Sequence, residues 1–270
     1  MKLGLCLTGG GARGAYQIGA LMALKELDIL KNVAAYSGTS IGAANAALVA
    51  STSVEKARDV WFSIPEENMK KQENLIRRFT KERLLAIDQG IYKMDLFEDI
   101  ITSNVDFDNL HDKDVFVTVA QGGNIEDSVF QLLLTSYRHF IKKERQAIYL
   151  PLKELSREDA SKGIIASCSI PIVFPAVEYH EKKYYDGGVV DNIPVQPLVD
   201  HGCDEIIIIH LNRTFFFRTD RFEGVRFHEI KHKKGLGRVL DFSMAHTEKI
   251  YALGYEDTME YYQNLRSESG

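Results

Sequence analysis

The chain has 270 residues, 45% hydrophobic and 26% charged, the balance of an ordinary globular protein with room for a large core. A net charge of −5 argues against nucleic-acid binding, which calls for a broad basic face. The three cysteines, Cys6, Cys168 and Cys203, are scattered and odd in number, so they read as reduced thiols, not as a disulfide framework.

The N-terminus runs from Met1 straight into a strand-like stretch, without the separate apolar core and cleavage site of a signal peptide. No apolar run reaches the roughly 18 residues that a bilayer span needs. A cytoplasmic protein is expected.

Lys2 to Leu7 reads as a buried strand that ends in the turn Thr8-Gly9-Gly10-Gly11. Ile18, Leu21, Met22, Leu24 and Leu27 then fall at helical spacing across 15–27. A second strand around Val33 to Tyr36 leads into Ser37-Gly38-Thr39-Ser40-Ile41-Gly42. The small residues Ala43, Ala44, Ala46 and Ala47 follow, as a helix pressed close on a sheet requires. Ser53 suits the N-cap of a helix holding Ala57, Val60 and Trp61. Residues 65–92 are polar and charged, and read as exposed helix and loop of the kind that forms a lid.

Leu96, Phe97, Ile100 and Ile101 mark another helix, and Val115 to Ala120 a strand with a hairpin turn at Gly122-Gly123-Asn124. A hairpin runs from Val177 through Glu181-Lys182-Lys183 to Tyr185. The continuous apolar run Ile206 to Ile209 is that of a parallel strand covered on both faces. Strands alternating with helices predict a three-layer α/β/α sandwich with a mostly parallel sheet.

Three segments carry chemistry. Gly9-Gly10-Gly11-Ala12-Arg13-Gly14 follows a strand and opens a helix. Glycines there aim bare amides outward beside the positive end of a helix, a nest for a phosphate or for the oxyanion of acyl transfer. A dinucleotide site would need a carboxylate about 20 residues on. Asn32 to Ser37 provides none. What stands there is Gly38-Thr39-Ser40-Ile41-Gly42, a G-x-S-x-G elbow that pushes a serine hydroxyl out of the sheet edge. A serine nucleophile needs a base. Asp186, at a strand end before Gly187 and Gly188, can approach another backbone closely; the bland alternative is an aspartate in a turn.

Taken together, Gly9 to Gly14, Gly38 to Gly42, Asp186-Gly187-Gly188 and the stretch Ser167 to Pro175 resemble the patatin-like phospholipases. Order and spacing agree from Leu3 to about Asn212. The resemblance implies a patatin-like catalytic domain over 1–212; beyond Asn212 the likeness fades, and the sequence pattern alone gives a helical extension over 213–270 packed on the same domain. The resemblance also implies a Ser–Asp dyad in place of a triad, with neither metal nor cofactor, acting on a lipid or acyl-ester substrate through an acyl-enzyme. Ser40 would be the nucleophile and Asp186 the base, with the oxyanion hole in amides near Gly10 and Gly11. Arg13 would hold that loop or an anionic head group. Asp191 departs from the pattern, standing where such sequences often have asparagine, and would put a second carboxylate near the site.

Three rival readings come from the same sequence. A Ser-His-Asp carboxylesterase would recruit a histidine after Asp186, with His210 the best placed. His228-Glu229-Ile230-Lys231-His232 is a literal H-E-x-x-H, which on a helix could hold zinc. Neighbouring Lys231, Lys233 and Lys234, with Gly235 and Gly237 just beyond, argue against that helix. The third is a phosphate-ligand binding module without turnover, which lacks a Walker lysine. For contact with a membrane surface, the basic Lys231 to Lys234 and Arg238 could act with Phe215, Phe216, Phe217, Arg218, Arg221 and Phe222. The preferred expectation there is a solvated loop over a buried aromatic cluster. Residues 236–262 read as an amphipathic helix packed on the core.

Overall fold

The computed structural model describes residues 1–64, 95–122, 147–170, 176–213 and 217–268. The stretch expected to form a lid, the turn at Gly123-Asn124, Pro171 to Pro175 and the first two phenylalanines of Phe215-Phe216-Phe217 lie outside them.

An eight-stranded mixed sheet organises the chain. Strand β1 (Leu3–Leu7) is central, flanked in parallel by β2 (Val33–Thr39) and β7 (Glu205–His210). Strands β3 (Asp114–Gly122) and β8 (Arg226–Lys231) extend the parallel portion on either side. Beyond β3 the sheet turns antiparallel through β4 (Ala147–Pro151) and the hairpin β5 (Val177–Tyr179) and β6 (Lys182–Asp186). That hairpin closes one residue earlier than its lysines suggest, since His180 and Glu181 take the positive φ angles of 47° and 61°.

Alternation along the strands separates two unequal cores. Leu5, Leu7, Ile207 and Ile209 face the larger one. Helices α1 (Gly14–Glu26), α2 (Ile41–Ser51), α3 (Val54–Ser63), α4 (Asp95–Asn104) and α5 (Phe107–Leu110) contribute to it, as do α6 (Arg157–Ser167) and α8 (Met244–Glu268). Cys6, Ile206 and Ile208 face the other, where the short α7 (Gln196–Asp200) and Phe217, Phe222 and Phe227 give thinner cover. Of the expected buried aromatic cluster, Phe217 and Phe222 are described: their rings stack at 5.8 Å, and both are half-buried, not fully buried. Cys6, Cys168 and Cys203 are all free and buried.

Ser53 caps α3 as expected, its hydroxyl accepting from the Lys56 amide at 3.1 Å. Residues after 212 contribute more than a helix, because β8 is the edge of the same sheet. Helicity begins only at Met244, and Gly235 to Ser243 form an irregular strap. Helix α8 crosses α1 where Gly19 and Gly254 meet, and a Cβ on either would stand 1.9 or 2.0 Å from an opposing carbonyl oxygen. Such backbone-to-backbone contact locks the C-terminal helix to the first one. Among the described residues no helix is long and apolar enough to cross a membrane.

Candidate active site

Ser40 sits at the carboxyl end of β2, where the chain reverses into α2. Its φ of 55° and ψ of −131° lie outside the regions a side-chain-bearing residue prefers. The turn holds because its neighbours have no side chains in the way. A Cβ on Gly42 would stand 2.2 Å from the Leu7 carbonyl oxygen, and one on Gly38 would stand 2.4 Å from that of Gly42. Ser167 adds a tie from α6: its hydroxyl accepts from the Ser40 amide at 2.9 Å and donates to the Thr118 carbonyl at 2.6 Å.

The Ser40 hydroxyl donates to Asp186 Oδ2 at 2.6 Å, across 146 residues of sequence. Asp186 comes from the end of β6, placed by antiparallel pairing with Val119. Its amide donates to the Ser169 carbonyl, and its Oδ1 accepts from the Gly188 amide at 2.7 Å. Gly187 lies against β3, where a Cβ would stand 2.3 Å from the Thr118 oxygen. Both members of the pair are buried, Asp186 at 5% exposure. Burial pushes its carboxyl up from 3.8 to about 6, while the bonds from Ser40 and Gly188 pull it back down. A carboxylate of that kind is ionised at neutral pH and basic enough to take a proton.

Beside the elbow lies the glycine turn. Gly9 is against Ser40, for a Cβ there would come within 3.2 Å of the Ser40 Cβ and 2.5 Å of Asn192 Oδ1. Gly11 has φ +58°, followed by a single 3-10 turn, Gly11–Arg13, that feeds α1 at Gly14. The amides of Gly10 and Gly11 have no protein acceptor among the described residues. That of Ala12 is taken, donating to the Val239 carbonyl at 2.7 Å. Arg13 donates to Gly237 O through Nε (3.1 Å) and Nη2 (2.7 Å), and through Nη1 to Leu211 O at 3.3 Å. Of its two expected roles, the loop-holding one matches these bonds.

A buried polar chain supports both turns from beneath. Gln17 Nε2 donates to the Thr8 carbonyl at 2.8 Å, Asn45 Nδ2 to Gln17 Oε1 at 2.8 Å, and Trp61 Nε1 to Asn45 Oδ1 at 2.8 Å. Each buried amide or indole thereby finds a partner. Asn192, Gln17 and Asn45 escaped the sequence reading, and Ser167 and Ser169 entered it only within the stretch Ser167 to Pro175, with no role of their own. Nothing marks them locally, since each acts on a segment brought to it by the fold.

Asp191 is at the site's margin. Its Oδ2 accepts from the Tyr149 hydroxyl at 2.7 Å and its Oδ1 from the Ile193 amide at 3.0 Å. His210 does not pair with the Ser40 hydroxyl, which donates to Asp186. Its Nε2 lies 2.9 Å from Glu229 Oε2 on β8. The H-E-x-x-H segment opens on strand β8, not on a helix, so His228 and Glu229 point to opposite faces. His228 meets Glu205 and Tyr261, Glu229 meets His210 and Lys231, and His232 meets the Lys234 carbonyl. Strand geometry removes the shared helical face that the zinc motif requires.

A curated relative, two solved structures and a family model are similar to the chain. A lysophospholipase NTE1 from Cryptococcus neoformans var. neoformans serotype D is 28% identical over 217 residues, 77% of this chain but 11% of that protein. This chain thus spans about a tenth of the length of the curated relatives it matches. Among solved structures, ExoU in its complex with SpcU, from the type III secretion system of Pseudomonas aeruginosa, superposes with a TM-score of 0.56. Identity is 16%, over 98% of this chain and 51% of that one. VipD from Legionella pneumophila gives a TM-score of 0.53 at 14% identity, over 97% and 67% respectively. Such distant likeness speaks to the fold alone. The family model for patatin-like phospholipases matches residues 5–199, a stretch that runs from β1 through the elbow and Asp186 into α7, and the chain belongs to that family.

Proposed function

We propose that the chain is a serine hydrolase of lipid acyl esters, with Ser40 as nucleophile and Asp186 as general base. The observation that carries this reading is the 2.6 Å bond from the Ser40 hydroxyl to the buried Asp186 carboxylate, made at a strained elbow. Membership of the phospholipase family and the lysophospholipase relative support a lipid substrate.

In the first step Asp186 takes the Ser40 proton as Oγ attacks the acyl carbonyl carbon. The carbonyl oxygen becomes an oxyanion beside the glycine turn, where the Gly10 and Gly11 amides are the donors. Losing one such donor typically costs about 100- to 1,000-fold in rate. Collapse expels the alcohol, which takes the proton back from Asp186 and leaves an acyl-Ser40. Water then attacks this ester with Asp186 again as base, releasing the fatty acid and restoring the serine. The cytoplasm suits three buried free thiols.

The test is hydrolysis of a p-nitrophenyl acyl ester and a lysophospholipid, alongside labelling with a fluorophosphonate. Wild type should cleave and label at Ser40, with Ser40→Ala and Asp186→Asn each losing about 10⁴-fold or more in kcat. EDTA should change nothing. Turnover surviving Ser40→Ala, or abolished by EDTA, would overturn the reading.

A further inference from the structure

The carboxyl edge of the sheet carries a second concavity beside the dyad, on the thinly covered face. It has a volume of about 680 Å³, within the range of small-molecule sites. Tyr149, Asp191, Phe217, Arg218, Arg221 and Phe222 line it, with Gly188 and Asn192 on the side toward the dyad. Gly188 is the residue whose amide holds Asp186, and Asn192 the one pressed against Gly9. A ligand in this cavity therefore lies next to the groups that would cut it.

The wall carries both signs of charge. Asp191 is oriented by a tyrosine hydroxyl and a backbone amide, and no lysine or arginine pairs with it among the described residues. Arg218 is neutralised by a two-pronged pair with Asp220, at 3.1 and 2.6 Å. Arg13 is committed to carbonyls of the strap and of Leu211. Arg221 is left as the exposed cation of the wall, with no carboxylate at ion-pair distance among the described residues. Tyr149, Phe217 and Phe222 add aromatic surface, which attracts an ammonium group through its ring electrons.

A carboxylate without a cationic partner, a guanidinium without a carboxylate partner and aromatic rings around one cavity complement a ligand with a phosphate and an amine. Resting on the hydrolase reading above, we infer that this cavity is the head-group subsite for a zwitterionic phospholipid or lysophospholipid. Arg221 meets the phosphate, and Asp191 with the aromatic wall meets the ammonium. These are specificity residues and take no part in bond cleavage.

The experiment compares three single-chain substrates of one acyl length below their micelle concentrations: lysophosphatidylcholine, lysophosphatidic acid and monoacylglycerol. Wild type should favour lysophosphatidylcholine over monoacylglycerol by about 10-fold or more in kcat/KM, the worth of one well-placed charge contact. Arg221→Gln should lower both phosphate substrates about 10-fold. Asp191→Asn should lower only the zwitterion by that factor, and neither variant should change p-nitrophenyl butyrate hydrolysis. Equal rates on all three lipids, or variants that slow all substrates alike, would overturn the assignment. Saturation-transfer NMR with glycerophosphocholine separates the two claims, because that probe binds without being cleaved. Binding lost in both variants supports the subsite even if no ester is hydrolysed, whereas no binding to wild type refutes it even if esters are.

Discussion

Two strand-to-helix turns meet at the candidate site, and they are built in opposite ways. The β2–α2 elbow is made mostly from its own residues. Gly38 packs on Gly42, the Ala43 amide donates to the Ser40 carbonyl at 2.8 Å, and the neighbouring β1 carbonyl of Leu7 closes on Gly42. The β1–α1 glycine turn is held from far away in sequence. Val239, Gly237 and Leu211 supply its acceptors, and Leu211 fills the space where a Gly10 side chain would go. A strained serine needs a rigid local frame, whereas a turn of outward amides has used up few of its own bonds and needs an external brace. The brace lies beyond residues 5–199, the part that the family model matches.

The contrast can be broken first at the elbow. Gly42→Ala forces a methyl group onto the Leu7 carbonyl, a backbone atom that cannot swing aside. A loss of about 3 kcal/mol or more is expected, read as a fall of roughly 10 °C in Tm. An unchanged Tm would show that the elbow has slack the geometry does not reveal.

The next effect concerns the charge beside the elbow. Because the folded Asp186 carboxyl titrates near 6 in place of 3.8, its protonated form stabilises the fold fully below about 3.8, and this is lost as pH rises through about 6. Asp186→Asn keeps an oxygen for the Gly188 amide and never ionises. It should therefore match wild type below about pH 4 and exceed it by up to about 3 kcal/mol above pH 6, from a shift of about two pH units. Thermal melts across pH 4 to 8 test this. In wild type, kcat/KM should rise through about pH 6 to a plateau, since only the ionised carboxylate acts as base. A variant no more stable than wild type at pH 7.5 would contradict the burial of a charged Asp186.

The smallest effect sharpens the comparison at the strap. Arg13→Ala removes three hydrogen bonds to Gly237 and Leu211 and should cut kcat about 10- to 30-fold, with KM within about twofold. Arg13→Lys should rescue little, because a point charge cannot replace the planar fork that grips one carbonyl twice. Full rescue by lysine would mean that charge, not bracing, is what the position supplies.

Much of this was legible in the sequence. Strand β7 shows itself as an unbroken apolar run, α3 through its serine cap, and Ser40 and Asp186 through glycines that only close backbone approach explains. The H-E-x-x-H motif shows the converse. Its spacing is that of a helical metal site, but pairing with β7 makes most of it a sheet edge and sends its residues to different partners. The two hairpins announced an antiparallel portion of the sheet, but the pairing of β3 with β6 was hidden, because it spans a separation that no local period records.

The sequence by itself determined the pieces whose physics is local: a strand ending in glycines, an elbow around one serine, an aspartate before two more glycines. Only the tertiary structure decided which pieces meet. The 2.6 Å bond between Ser40 and Asp186, the Ser167 bridge from the Ser40 amide to Thr118, and the Gly237–Val239 brace all join segments far apart in sequence, from 49 residues for Ser167 and Thr118 to 146 for Ser40 and Asp186 and more for the brace. Hydrophobic periodicity fixes which face of each strand is buried but leaves the order of strands open. That order, set by packing over the whole core, is what brings Ser40, Asp186, the glycine turn and a charged cavity to one edge of one sheet.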